Sequence, residues 1–283
     1  MELSGLRARV GLSFAGAFAF LLAVGNVPAS AAEAGATATA DRFDRVVIDA
    51  GHGGDDHGAG GPKGLLEKDI VLDVARRLAG KLTERGLSVT STRDSDRVVS
   101  LEQRATAANR ARGDLFVSIH ANAAPSRQAR GIETFFVSLE ASDEAAQRVA
   151  ARENEAFGAD GAAAPSGDPV AAILGDLTLT EYFEESNEFA RLAHSELAAI
   201  DTHPSRGVKQ APFYVLMGVQ MPATLVEIGF ITNPDEERAL GTARRQDEIA
   251  EALARAVLEF GRRYDARRGV AHDGPADAPS GGS

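Results

Sequence analysis

The 283-residue chain has no cysteine. No disulfide can brace it, and a bound metal would have to be held by histidine and carboxylate side chains. Basic residues are in deficit: 30 Lys and Arg stand against 41 Asp and Glu, a formal net charge of -11. That sign argues against nucleic acid and against an anionic membrane surface as partners. Past the N-terminus no segment is long and apolar enough to cross a bilayer as a helix. A GxSxG elbow is missing too, so neither a serine nor a cysteine triad can be assembled. HExxH is absent; the nearest string, at residues 194–197, lacks both the spacing and the second histidine. Residues 58–64 fall short of GxGxxG because Lys63 stands at the last glycine position. With no Walker pattern either, a nucleotide cradle is disfavoured. No internal repeat of about 20–50 residues is present.

The N-terminus carries an export signal. Arg7 and Arg9 form a basic start, residues 11–27 an apolar run, and residues 28–31 an A-x-A site cut after Ala31. An uncleaved anchor is the alternative, but the run falls short of the roughly 20 residues a comfortable span needs. Ala8 separates the two arginines, so the general secretory route is expected rather than the twin-arginine one. The chain therefore divides into a signal peptide (1–31), a small-residue linker (32–41), a catalytic domain (42–264) and a disordered tail (265–283). With the signal removed, no transmembrane anchor remains, and the protein is expected in the periplasm or cell-wall space.

Within the domain, β-type runs alternate with helical periods. Strands are expected at residues 45–50, 87–92, 114–119, 132–138, 213–217 and 223–228. A helix over 67–85 places Ile70, Val74, Leu78 and Leu82 on one face and stops at Gly86. Another opens on a capping box at Ser100 and runs to about Ala111. Asn233-Pro234 starts a third, and Ile249, Leu253, Val257 and Phe260 mark the last. Such alternation implies an α/β fold, one domain with a six-stranded, mostly parallel or mixed sheet flanked by helices. Residues 139–187 form an insertion, with a helical run over 143–157 and a second start at Asp168-Pro169. Insertions this long are usually functional or disordered.

Chemistry-bearing residues gather where strands end. His52 sits in a glycine-rich turn after the first strand, and His120 follows the strand ending at Ile119. Ligands in open α/β sheets bind beyond the carboxyl ends of strands, so two such histidines point to one crevice. Singly, a histidine after a strand is more often structural than a ligand. Glu67, at a helix start, could simply complement the helix dipole. With two histidines it completes a His2Glu set of the kind catalytic zinc uses, with a fourth position open. Glu227 lies inside an apolar strand, either as half of a buried ion pair or as a base beside a metal. His57, in the polar glycine loop, could assist; His194, His203 and His272 have no comparable setting.

Taken together, these strings resemble the zinc-dependent N-acetylmuramoyl-L-alanine amidases of the type 3 family, which includes the bacterial cell-separation enzymes. The matching segments are 48–54 (IDAGHGG), 67–69 (EKD), 92–94 (TRD), 101–104 (LEQR), 108–109 (AN), 115–122 (LFVSIHAN) and 225–233 (LVEIGFITN). They occur in family order across nearly the whole mature chain. The resemblance implies one Zn2+ on His52, Glu67 and His120, Glu227 as the catalytic carboxylate, and Asn122 and Asp49 as second-layer candidates. It implies hydrolysis of the bond between N-acetylmuramic acid and L-alanine in peptidoglycan, for wall remodelling and daughter-cell separation. A non-catalytic peptidoglycan-binding protein on the same fold, or a different zinc peptidase, is the alternative. Regulated members of the family carry a helix that occludes the site, and the segment at residues 150–156 looks like it. Glu153 would then reach the zinc until a LytM-type or other divisome activator withdraws the helix; a solvated acidic helix is the competing reading.

Overall fold

The computed structural model describes residues 42–155 and 169–270, with backbone alone over 169–180. The signal peptide, the linker, the Gly/Ala/Pro/Asp segment at residues 158–167 and the last thirteen residues lie outside the described residues.

Six strands form one mixed sheet in the order β2-β1-β3-β6-β4-β5. β1 (Arg45–Ala50), β2 (Ser88–Ser91), β3 (Leu115–Asn122) and β6 (Ala223–Phe230) run parallel; β4 (Glu133–Val137) is antiparallel to β6, and β5 (Val208–Ala211) follows β4 in parallel. Every residue of β3 and β6 is buried, as expected of central strands covered on both faces. Helices α1 (Glu67–Glu84), α4 (Pro169–Ala198) and α7 (Ala243–Arg267) cover one face. The other carries α2 (Leu101–Ala111), α3 (Glu144–Glu155) and the short α5 (Tyr214–Met217). α6 (Pro234–Leu240) follows β6, capped by Asn233 with Pro234 in its first turn.

Strand alternation decides which side chains can meet. Val46, Ile48, Leu115, Val117, Ile119, Val226 and Ile228 enter the core under α1, α4 and α7. Val47, Phe116, Phe135 and Leu225 enter the other. Because side chains alternate with period two, Asp49, Ser118, His120, Glu133 and Glu227 share that second face. The register sets Ser118 beside Asp49 and His120 beside Glu227, with Glu133 on the far side of Glu227.

Three expectations change. Residues 213–217 are not a strand: Tyr214–Met217 forms a helical turn, and the sixth strand is Val208–Ala211. A short apolar run such as Phe213, Val215 and Leu216 reads alike in either state. Val208–Ala211 has one fully buried residue, and only its pairing with β4 makes it a strand. β3 and β6 also run on, to Asn122 and Phe230, so His120 stands within a strand rather than after it. Finally, α7 continues to Arg267, and Asp265, expected in the tail, is fully buried and accepts a 2.7 Å hydrogen bond from the Phe43 amide. The second half of the insertion belongs to α4, which continues into the core through Phe189, Ala193 and Leu197.

The site end of the sheet is stitched by buried arginines. Asp49 accepts from Arg104 Nη1 (2.6 Å), Thr92 Oγ1 (2.6 Å) and Ser118 Oγ (2.8 Å). Arg104 also donates to the carbonyls of Ala50 (2.7 Å) and His52 (2.8 Å), and Arg93 to those of Ala50 (2.9 Å) and Gly51 (2.7 Å). Removing one member of a buried ion pair leaves the other charge uncompensated. Asp49→Ala is therefore expected to cost about 3–5 kcal/mol in denaturant melts; a change below about 1 kcal/mol would show that the pair does not brace this turn.

Candidate metal centre

His52 leaves β1 with a φ of 58°, a left-handed conformation uncommon outside glycine. Its ring turns back over the strand ends, where Nδ1 meets the Asp56 carboxylate at 2.9 Å. Nε2 points inward, 3.2 Å from Glu67 Oε1 and 3.2 Å from Glu153 Oε2. His120 Nδ1 faces the same two atoms at 3.1 and 2.8 Å. Glu67 is fixed from both sides, Oε2 accepting from the Ala59 amide (2.8 Å) and Oε1 from that of Ala121 (2.9 Å). Space is kept by glycine: a Cβ at Gly51 would lie 2.5 Å from His120 Nε2, and one at Gly58 2.6 Å from His52 Cδ2.

Four side chains, from the β1 turn, the first turn of α1, β3 and α3, thus bring one donor atom each into a common volume, all mutually within 4.8 Å. His52 Nε2 and Glu153 Oε2 are buried without a hydrogen-bond partner among the described residues, although their separations are short. The distances are right for hydrogen bonds but the directions are not, as expected of donors aimed at a shared centre. Glu227 stands beside them, fully buried, with both oxygens lacking hydrogen bonds. Arg152 bridges from α3, its Nη2 2.7 Å from Glu153 Oε1 and 3.6 Å from Glu227 Oε1.

A family model described as N-acetylmuramoyl-L-alanine amidase matches residues 46–259. The chain belongs to that family. It is 36% identical over 222 residues to the N-acetylmuramoyl-L-alanine amidase AmiC of Escherichia coli O6:H1, an alignment covering 78% of this chain and 53% of that protein. The same identity and coverage of this chain hold for AmiA of E. coli K12, of which 77% is covered. The chain thus spans about half the length of AmiC. The crystal structure of an N-acetylmuramoyl-L-alanine amidase from Clostridium difficile 630 superposes with a TM-score of 0.59 at 29% identity, covering 78% of this chain and 97% of that one.

Of the residues singled out in the sequence, His52, Glu67, His120 and Glu153 converge, and Glu227 adjoins them. Asn122 lies next door, donating to Glu133 and accepting from Arg152 (3.2 Å). Asp49 stays out of the cluster and braces the strands that carry it through Arg104, Thr92 and Ser118. His57 is exposed in its loop, His194 pairs with Thr134 and Ser205, and His203 with Asp201 and Glu236. His272 lies outside the described residues. Asp56, Glu133 and Arg152 gave no signal of their own. Arg152 could have been suspected as the neighbour of Glu153, and Asp56 as a carboxylate four residues from His52.

The donor set fits a divalent ion. Ligands at about 2.0–2.2 Å in a tetrahedral shell are about 3.3 Å apart, close to the 2.8–3.2 Å separations seen. Without a metal, the imidazoles must carry the compensating charge. Burial alone would lower His52, but the Glu67 carboxylate, the hydrogen bond to Asp56 and the Glu153 carboxylate close by push it up to about 12. Burial likewise opposes His120, which Glu153 and Glu67 raise to about 10. Burial would raise Glu67, yet His52 above all brings it to about 2. Glu153 also falls well below the ordinary carboxylate range, where His120 outweighs burial. Glu227 goes the other way: burial and then the Glu153 charge hold it well above that range.

Two consequences follow for metal-free protein. The raised histidines stabilise the fold fully below their ordinary value near 6.5, and that contribution declines as pH rises toward about 10 and 12. The depressed Glu67 contributes above about 4.5 and is lost as pH falls toward about 2. Melting temperature without metal should accordingly peak between pH 4.5 and 6.5 and decline on either side. Because both imidazoles must shed a proton to become ligands, loading an ion at pH 7 is expected to release about two protons. Calorimetry in buffers of different ionisation enthalpy reads that number directly; release of none would mean that the histidines are already neutral.

Proposed function

We propose that this chain is a zinc-dependent amidase that hydrolyses the bond between N-acetylmuramic acid and L-alanine in peptidoglycan, and that α3 holds it shut. The observation that supports this best is the juxtaposition of a buried His2Glu donor set with a proton-bearing glutamate, joined by an acidic side chain from a separate helix. His52 Nε2, Glu67 Oε1 and His120 Nδ1 would hold the zinc, and the relatives' names supply the reaction. When bound, the ion supplies Lewis-acid polarisation of the amide carbonyl and a water of lowered pKa. Glu227 takes the proton of the attacking water and returns it to the nitrogen as the C–N bond breaks. The products are a free lactyl carboxylate on the sugar and a stem peptide with a free amine.

Glu153 fills the fourth donor position in this reading. Burial first and then the Glu153 charge keep Glu227 protonated, against the lowering effect of Arg152; withdrawal of α3 would open the site to water and so relieve the largest of these, lowering Glu227 toward the range of a working base. Arg152 and Asn154 fasten the same turn: Arg152 donates to the Ala123 carbonyl (2.5 Å), and Asn154 exchanges hydrogen bonds with Pro212 (2.8 Å) and Tyr214 (2.9 Å). A partner able to displace these contacts, such as a LytM-type divisome activator, would switch the enzyme on. Export to the periplasm or cell-wall space and a role in daughter-cell separation belong to the same proposal.

Digestion of purified muropeptides, read by mass spectrometry, tests the activity. Zinc-loaded protein should give free lactyl groups and intact stem peptides, and chelator or His120→Ala should abolish both products. Glu227→Gln should reduce kcat by about 10²–10⁴-fold with zinc retained. Binding to sacculi without zinc and without product would favour a silent wall-binding protein. On sacculi, Glu153→Ala should exceed the wild-type basal rate; an unchanged rate would remove α3 as a latch.

A further inference from the structure

Beside the proposed metal ligands, three acceptors converge on one guanidinium. Arg152 reaches the Ala123 carbonyl at 2.5 Å, Asn122 Oδ1 at 3.2 Å and Glu227 Oε1 at 3.6 Å. Asn122 and Ala123 form the end of β3 and its continuation, just past His120, where the pairing with β6 shifts register between His120 and Asn122. The asparagine has no freedom to flip. Its Nδ2 donates at 2.7 Å to Glu133 Oε2, a carboxylate that can only accept, so Oδ1 must face Arg152. Glu133 is 1% exposed and sits directly across from Glu227 in the β4–β6 register. Arg206 Nε and Lys209 Nζ each stand 3.1 Å from Glu133 Oε1.

Alongside lies a hollow of about 760 Å³ between α3 and the loop after β3, with mainly apolar walls that include Ala124, Pro125, Val149 and Phe230. Asn122 and Arg152 border both this hollow and the metal cluster. If α3 withdraws, Arg152 leaves with it, and Asn122 Oδ1 and the Ala123 carbonyl lose their donor. Acceptors so uncovered are free to take N–H donors, and a peptide carries them. The scissile amide has one N–H, on its leaving side.

We propose that Asn122, aimed by Glu133, receives the N–H of the scissile amide, and that the peptide arm of the substrate runs past Ala123 along the loop after β3, on the surface that α3 covers in the closed state. This rests on the amidase reading above and orients the substrate within it. The carbonyl faces His52, Glu67 and His120, and the leaving nitrogen faces Glu227. When the water oxygen has joined the carbonyl carbon, its proton resides on Glu227. As the C–N bond breaks, the electron pair goes to nitrogen and that proton follows, with Asn122 holding the nitrogen within reach. Arg152 is then a stand-in for the peptide in the closed state, and Glu133 is a positioning residue acting through Asn122.

The test uses the full-length, zinc-loaded chain freed of its latch by Arg152→Ala and Glu153→Ala. Two substrates are compared: a muramyl peptide, and its ester analogue in which L-lactate replaces L-alanine, so that the N–H is gone. Adding Asn122→Ala should lower kcat/KM on the amide by about ten- to a hundredfold and change it less than about twofold on the ester. Glu133→Gln should show the same amide-selective loss, smaller in size, which general loosening of the site would not produce. Equal losses on both substrates would overturn the inference while leaving the amidase intact. A latch-free parent inert on both would overturn the amidase reading and this inference with it. Should Asn122→Ala fail to fold, the parent itself decides: N-methylation of the scissile nitrogen should lower kcat/KM by at least tenfold, and unaltered turnover would exclude an N–H contact.

Discussion

Glu67 has no route to water, and its carboxylate is held between two backbone amides and two imidazoles. A buried carboxylate in this position must be neutralised by whatever stands near it. In the absence of an ion, the two histidines do so by keeping their protons; with an ion, the metal takes over that role and the protons leave. The loop from Gly51 to Ala59, the start of α1 and the end of β3 are all tied to this one group. Three separate elements thus meet at one buried carboxylate.

Glu153 changes the charge count. Two carboxylates facing two imidazoliums balance, and that balance gives α3 a reason to stay down. The helix is otherwise a modest packer: Ala146, Val149 and Ala150 enter the core, whereas Glu144 and Arg148 pair in solvent. Exposed pairs contribute little. Its hold on the domain rests on the buried Glu153, on part-buried polar contacts at Arg152 and Asn154, and on Asp143, which caps its start and meets Lys209 at 3.1 Å. Contacts of that kind are strong in place and are lost together once water or a competing donor enters. This is the behaviour a switch requires, in contrast to the tightly packed α1, α4 and α7 layer behind the sheet.

Arg93 and Arg104 have a different task. Both are buried, and both donate to carbonyls of the turn that carries His52. A backbone held at positive φ needs such over-determination to persist. Asp49, which the sequence left open between a second layer around the site and a structural role, anchors this scaffold.

Five of the six strands, the main helices and the positions of His52, Glu67, His120 and Glu227 were legible in the chain itself, because apolar periodicity and histidines at strand ends are local signals. Cysteine absence had already narrowed any metal site to those residue types. What the sequence could not supply was parity and distance. Whether Phe213–Leu216 is strand or helix, whether β3 reaches Asn122, and whether Asp56, Glu133 and Arg152 touch the site depend on which neighbours the fold brings alongside. Glu133 illustrates the limit: one glutamate in an apolar strand says nothing about Asn122 eleven residues earlier. Only the pairing of β4 against β6, with β3 beyond, puts their side chains on one face, since strand periodicity fixes a face but not the partner across it.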